Sequence, residues 1–176
     1  MKKSVRILEV VSSLVMVLSK YFLSKDNNYG WILSIIGYMM VVSYNSIRKI
    51  FMLAILSAGL LVLSIYGWYK WNNQFTGLQT LDYVIIAITL SINIYLGFNG
   101  WRNKKDLWWQ QIVASLCSMS GFILLGLQII LFGWFSLLFS HLFIGYTHYK
   151  KSDYVYVLVQ ILSFGIALKK IIEIVL

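Results

Sequence analysis

The 176-residue sequence contains no proline, a single cysteine and only six acidic residues. Because Cys117 is the single cysteine, a disulfide framework and a pair of thiols for a metal are excluded. Cys117 lies inside an apolar run, and we interpret it as a small core residue. Because proline is absent, straight helices are the default expectation. Only 12% of the residues are charged, about half the share in a typical soluble domain, which excludes an ordinary soluble fold.

Apolar residues dominate what is present. They make up 60% of the chain, and the mean hydropathy is +0.77. A membrane-spanning helix needs about 20 mostly apolar residues. By that measure the sequence predicts one all-α membrane domain in the lipid bilayer, with seven transmembrane helices. The predicted spans are residues 7–23, 29–47, 50–69, 81–100, 107–125, 127–149 and 154–172.

The longest uncharged stretch runs from residue 107 to residue 149. Its 43 residues include no Lys, Arg, Asp or Glu, and they amount to about twice the length of one span. The stretch must therefore cross the membrane twice. We predict the turn between the two crossings at Gly126.

Basic residues indicate an orientation. The 15 Lys and Arg residues occur in short groups between the apolar runs and form no basic face, so we expect no nucleic-acid partner. If the seven spans cross the membrane in turn, ten of these residues lie on the side that holds the N-terminus and five on the other side. The positive-inside rule then places the N-terminus in the cytoplasm. No small-residue cleavage site follows the first apolar run. We expect a retained first span and a bacterial inner (plasma) membrane location.

Polar side chains inside the predicted spans are candidates for a binding site. Asn45, Gln111, Gln128 and His141 are costly in lipid unless they face the bundle or a wet cavity. The alternative for the amides is hydrogen bonding between helices, worth about 0.6 kcal/mol each. His141 could bind a ligand or carry a proton, or it could be a hydrogen-bonded packing residue.

Enzymatic chemistry has little support in the sequence. The acidic residues all fall at or near predicted span ends, and Cys117 and His141 lie on different helices with no acid nearby to orient them. No metal-ligand cluster or phosphate-binding loop occurs. We therefore expect a protein that is not an enzyme and uses no metal or cofactor.

Three features follow one another in the first 71 residues. Glu9 opens the first helix, the tetrapeptide Asn-Tyr-Gly-Trp at 28–31 leads into the second, and Tyr-Gly-Trp-Tyr-Lys-Trp at 66–71 closes the third. In this order and spacing they resemble the first half of the PnuC-type transporters of nicotinamide riboside and related vitamin precursors. A generic interfacial aromatic belt is the alternative interpretation of the Trp and Tyr residues.

The resemblance implies two three-helix repeats. We assign residues 1–71 to the first unit, 72–149 to the second and 150–176 to an additional helix. About ten residues separate Trp71 from the fourth span, too few for the linker helix that the family places between its repeats. Units joined directly would be inverted, whereas the family's repeats are parallel, so both arrangements stay open.

The family's second repeat begins with two Trp and an Asn that bind the ligand. Trp108 matches the first position, while Gln111 and Ser115 stand at the other two. The resemblance thus implies a small-molecule substrate held by aromatic and amide side chains. The predicted substrate-binding residues are Trp31, Asn45, Trp68, Trp108, Gln111, Gln128 and His141.

These features predict a small facilitative membrane transporter of a vitamin precursor such as nicotinamide riboside. The alternative is a non-transporting oligomeric membrane protein, either a pore-forming or a scaffolding subunit, and assembly into a homo-oligomer is compatible with both. A polar cavity within one subunit would favour the transporter. Polar groups that meet only between subunits would favour the alternative.

Overall fold

The computed structural model describes residues 3–74, 78–103, 106–150 and 154–176, with only the backbone described for Lys3, Ser4 and Met52. In these ranges the chain is almost entirely helical. The helices are α1 (Lys3–Ser24), α2 (Tyr29–Ile47), α3 (Phe51–Asn72), α4 (Thr80–Arg102), α5 (Trp108–Gly126), α6 (Ile130–Lys150) and α7 (Tyr154–Val175).

Each of the seven helices is long and apolar enough to cross a membrane. The predicted all-α membrane fold with seven spans is therefore confirmed. The turn inside the uncharged stretch directly follows the predicted Gly126, which is the last residue of α5, and occupies residues 127–129 before α6 begins at Ile130. The residue with left-handed backbone geometry in that turn is Gln128, with a φ of 61°. Gln128 thus lies between two helices and not inside a span.

Six of the described helices form a closed ring, in the order α1, α2, α3, α5, α6 and α7, with α7 packed back against α1. α4 lies outside this ring and packs on α3 and α5. Of the described helices it has the smallest buried share, 22% of its most apolar window. Most of the surface of α4 therefore faces lipid.

The last helix and α4 differ in their packing. α7 packs on both α6 and α1 and is part of the ring, whereas α4 contacts only α3 and α5 among the described helices. Hydropathy alone could not distinguish these roles, because a peripheral span and a ring span are equally apolar.

The two ends of the ring differ. We call the end at which α1, α3, α5 and α7 begin the open end, and the opposite end the closed end. At the closed end, Lys170 Nζ lies 2.6 Å from the Asp26 carboxylate, and Lys25 Nζ lies 3.5 Å from Glu173. These two ion pairs tie the turn after α1 to the last turns of α7.

Close packing at the closed end depends on Gly67. This residue of α3 lies directly against the indole ring of Trp31 on α2, and a Cβ built at Gly67 would overlap that ring. Trp31 itself has no exposed surface, so it has no free space into which it could move. Glycine at residue 67 therefore sets the separation between α2 and α3 at this level.

We expect Gly67→Ala to lower the free energy of unfolding by about 1–3 kcal/mol, the usual cost of adding a methyl group to a packed core. Unfolding of the purified protein by sodium dodecyl sulfate in mixed micelles would measure the change. Gly165→Ala is the matched control, because nothing lies within 4 Å of a Cβ built there and alanine favours a helix. Equal losses in the two variants would contradict this account.

Candidate functional site

A cavity of about 250 Å³ occupies the inside of the ring. This is close to the lower end, roughly 300 Å³, of the range for small-molecule sites. Side chains from all seven helices line it. Its lining includes residues at the open end and residues near the middle of the helices, whereas the closed end is filled by packed side chains.

The mouth of the cavity, at the open end, is aromatic and basic. Arg48 Nη1 donates a hydrogen bond of 2.7 Å to the Tyr44 hydroxyl, and its guanidinium lies 5.4 Å from the centre of the same ring. The rings of His148 and Tyr156 stack at 4.7 Å. Trp108 lines the same region. These flat surfaces suit a planar heterocycle.

Amide and hydroxyl groups line the cavity beside the aromatic rings. Asn45 Nδ2 donates to Ser57 Oγ at 3.4 Å, which links α2 to α3. Ser118 and Ser140 share a hydrogen bond of 2.7 Å between α5 and α6. Gln111 also lines the cavity. The groups can donate and accept hydrogen bonds at once, as recognition of a polar small molecule requires.

Two ionisable side chains also line the cavity near the middle of the helices. Lys20 Nζ donates to Ser163 Oγ at 3.1 Å, and His141 Nδ1 lies 2.7 Å from Gln160 Oε1. Both side chains line the cavity and both are buried. They join α1 and α6 to the same face of α7.

Aromatic rings form the floor that separates the cavity from the closed end. Tyr38 and Phe122 line the cavity, and Trp31 packs edge to face behind Phe122 at 5.7 Å. Trp71 packs in the same way on Trp31, and its Nε1 donates a 2.7 Å hydrogen bond to the carbonyl oxygen of Leu125. No lining residue belongs to the layer beyond this floor.

Four of the seven predicted binding residues meet in the cavity: Asn45, Trp108, Gln111 and His141. The other three lie elsewhere. Trp31 is fully buried behind the floor, and Trp68 is on the outer surface with 37% exposure. Gln128 lies exposed in the turn between α5 and α6. Trp68 faces outward because it follows Gly67 by one residue, about 100° around the helix.

Several lining residues are not among the predicted ones, above all Lys20. It lies close to the end of the first predicted span, where snorkelling to the interface would explain a lysine. A usable signal was present, since Ser13, Met16 and Lys20 are spaced by three and four residues and share one face of α1. All three line the cavity. Among the described residues, no cluster of His, Cys, Asp or Glu could hold a metal ion.

A family model described as "Nicotinamide mononucleotide transporter" matches residues 6–173, which is nearly the whole chain. No curated protein matches the chain. No solved structure matches it either.

Proposed function

The chain belongs to the nicotinamide mononucleotide transporter family, the PnuC-type transporters, and from that membership we propose that it is a facilitative carrier of a vitamin precursor such as nicotinamide riboside. The family supports the coarser statement directly, a membrane transporter of nicotinamide mononucleotide-type substrates. The observation that carries the proposal is the cavity inside one subunit, which has polar side chains among apolar ones and is open at one end and closed at the other by aromatic packing.

Transport requires that the cavity open alternately to the two sides of the membrane. In this structure the pairs Asp26–Lys170 and Lys25–Glu173 and the packing around Trp31 hold the closed end together. These contacts are the ones that must separate for the substrate to enter or leave there. The chain contains no motif for ATP hydrolysis, so we propose facilitated diffusion, driven by consumption of the substrate after it crosses the membrane.

The grouping of the helices follows from the same proposal. We propose α1–α3 and α5–α7 as the two three-helix units and α4 as the linker between them. An odd number of crossings then separates α1 from α5, so the two units have the same orientation in the membrane. The cavity lies where their helices meet in the ring.

The distribution of Lys and Arg supports an orientation. By position in the sequence, ten of the 15 fall on the side of the membrane that holds the N-terminus and five, Lys20 among them, on the other. We propose that the open end faces the cytoplasm of a bacterial cell, with the N-terminus inside. The structure would then be the inward-facing state of the carrier. Assembly into a homo-oligomer stays a prediction, and the cavity needs no second copy to be complete.

Uptake of radiolabelled nicotinamide riboside and nicotinamide mononucleotide into vesicles with the purified protein tests the proposal. We expect saturable uptake of at least one compound. Trp108→Ala should raise its KM about tenfold, because stacking of a base on an aromatic ring is worth about 1–3 kcal/mol. Trp109→Ala is the matched control, since Trp109 is 51% exposed and does not line the cavity.

Two outcomes would contradict the transporter. Absence of uptake across pyridine and thiamine precursors would favour a scaffolding subunit. Uptake that does not saturate, and that admits solutes without preference, would favour a pore. An equal effect of Trp108→Ala and Trp109→Ala would remove Trp108 from the substrate path while leaving transport itself in place.

A further inference from the structure

The cavity lining contains basic side chains and no acidic ones. Lys20, Arg48, His141 and His148 all line it, and no Asp or Glu does, among the residues that the structure describes. This is the reverse of what a positively charged solute needs. Nicotinamide riboside carries a fixed positive charge on its pyridinium ring and no acidic group, so it offers these basic side chains no counter-charge.

Lys20 places its charge near the middle of the membrane. Ser163, which accepts the hydrogen bond from Nζ, is the tenth of the 22 residues of α7. The Lys20 side chain is 5% exposed, and no ion pair joins it to a carboxylate in the described ranges. An ammonium group has three donors, and a buried charge without a counter-ion is costly. The single hydrogen bond to Ser163 therefore leaves Lys20 with unused binding capacity.

A second group beside Lys20 also lacks a partner. His141 is 4% exposed, its Nδ1 is used by Gln160, and its Nε2 is buried without a hydrogen bond. Gln160 and Ser163 are three residues apart, so they are neighbours on one face of α7. This places the His141 ring and the Lys20 ammonium one helical turn apart, on the same side of the cavity.

Ser13 completes the cluster from α1. Its hydroxyl is buried and has no hydrogen-bond partner, and it lines the cavity two turns before Lys20 on the same helical face. Buried polar groups in folded proteins are almost always hydrogen-bonded. Three polar side chains with unused hydrogen-bonding capacity around one cavity therefore indicate a ligand.

We propose that Lys20, with His141 and Ser13, forms an anion subsite that binds a phosphate or carboxylate group of the transported molecule. The proposal rests on the transport function above and narrows its substrate class to acidic compounds, in preference to the cationic riboside. The acidic group binds the Lys20 ammonium, and an adjacent polar group of the substrate hydrogen-bonds to His141. A phosphate on the ribose then leaves the heterocycle toward Trp108 and the other rings at the mouth, whereas a carboxylate on the heterocycle brings that ring itself to Lys20.

Three pyridine compounds that differ in charge test the subsite. Binding to the purified protein in detergent, followed by calorimetry, is compared for nicotinamide mononucleotide (phosphate), nicotinic acid riboside (carboxylate) and nicotinamide riboside (neither). We expect at least one acidic compound to bind ten times more tightly than nicotinamide riboside, and the stronger of the two identifies the anionic group. Competition in the vesicle uptake assay should give the same order.

Variants at residue 20 connect this preference to the lysine. Lys20→Met should weaken binding of the acidic compound at least tenfold and leave nicotinamide riboside unchanged or tighter, whereas Lys20→Arg should keep the preference. Lys169→Met is the matched control, because Lys169 is 70% exposed at the far end of α7. It should leave both affinities unchanged.

The outcomes separate the two proposals. Equal affinity of the wild-type protein for the three compounds would overturn the anion subsite while leaving the transport function intact. This comparison does not depend on whether any variant folds. A second outcome would also overturn the anion subsite. In that outcome inorganic phosphate or chloride binds in a Lys20-dependent manner, and the acidic compounds do not displace it. If none of the compounds binds or is taken up, the proposed transport function fails.

Discussion

Asp82→Asn will lower the free energy of unfolding by about 3–5 kcal/mol, the loss expected when one partner of a buried ion pair is removed. Asp82 on α4 and Lys70 on α3 are both fully buried and lie 3.1 Å apart. The same carboxylate accepts hydrogen bonds from the Tyr66 hydroxyl at 2.8 Å and the Gln79 backbone N–H at 2.7 Å. Asparagine keeps the shape but removes the negative charge that lies against Lys70.

Denaturation by sodium dodecyl sulfate in mixed micelles, followed by circular dichroism, measures this loss. Asp106→Asn is the control, since Asp106 is an exposed acid between α4 and α5 and should change stability by less than about 0.5 kcal/mol. Lys70→Met combined with Asp82→Leu should recover much of the loss, because it removes both buried charges together. Equal stability of Asp82→Asn and the wild-type protein would show that the pair does not hold α4 to the ring.

Trp31→Ala will also lower stability by about 3–5 kcal/mol, the range for truncating a buried aromatic residue. Trp31 has no exposed surface and packs edge to face on both Trp71 and Phe122. Its loss leaves a cavity between α2, α3 and α5 that rigid helices cannot fill. Because the floor of the binding cavity packs against the Trp31 indole, we also expect solutes to leak through the closed end of this variant.

The same denaturation measurement tests this expectation, with Trp101→Ala as the matched variant. Trp101 is 63% exposed on α4 and should be replaced at little cost. The experiment also decides between two roles for Trp31. A variant with wild-type stability that no longer binds substrate would make Trp31 a binding residue, as the sequence predicted, and would contradict its role in packing.

The seven spans could be predicted because length and hydropathy are local properties of the chain. The order of helices around the ring is not local. Ile94 and Phe98 on α4 are 71% and 57% exposed, yet they are as apolar as the residues that fill the core. Nothing in their identity shows that α4 faces lipid, so the sequence alone assigned it to a three-helix unit.

Part of the site could also be predicted from local properties of the sequence. Asn45, Gln111 and His141 stood out because a polar residue in a span needs a partner, and all three line the cavity. Lys20 did not stand out, since its hydrogen-bond partner Ser163 is 143 residues away in the sequence. Trp31 and Gly67 were singled out as part of a motif, and the structure brings them together for packing behind the floor.

The position of α4 also bears on how such a chain could arise in evolution. In the proposed grouping, one crossing separates the α1–α3 and α5–α7 units, so the two units would have the same orientation in the membrane. Two copies of an ancestral three-helix protein would share that orientation and could close a ring as a dimer. Fusion of the duplicated genes then needs only one additional membrane crossing between the copies. A helix retained for that task is constrained mainly to be apolar and long enough, which agrees with the lipid-facing surface of α4.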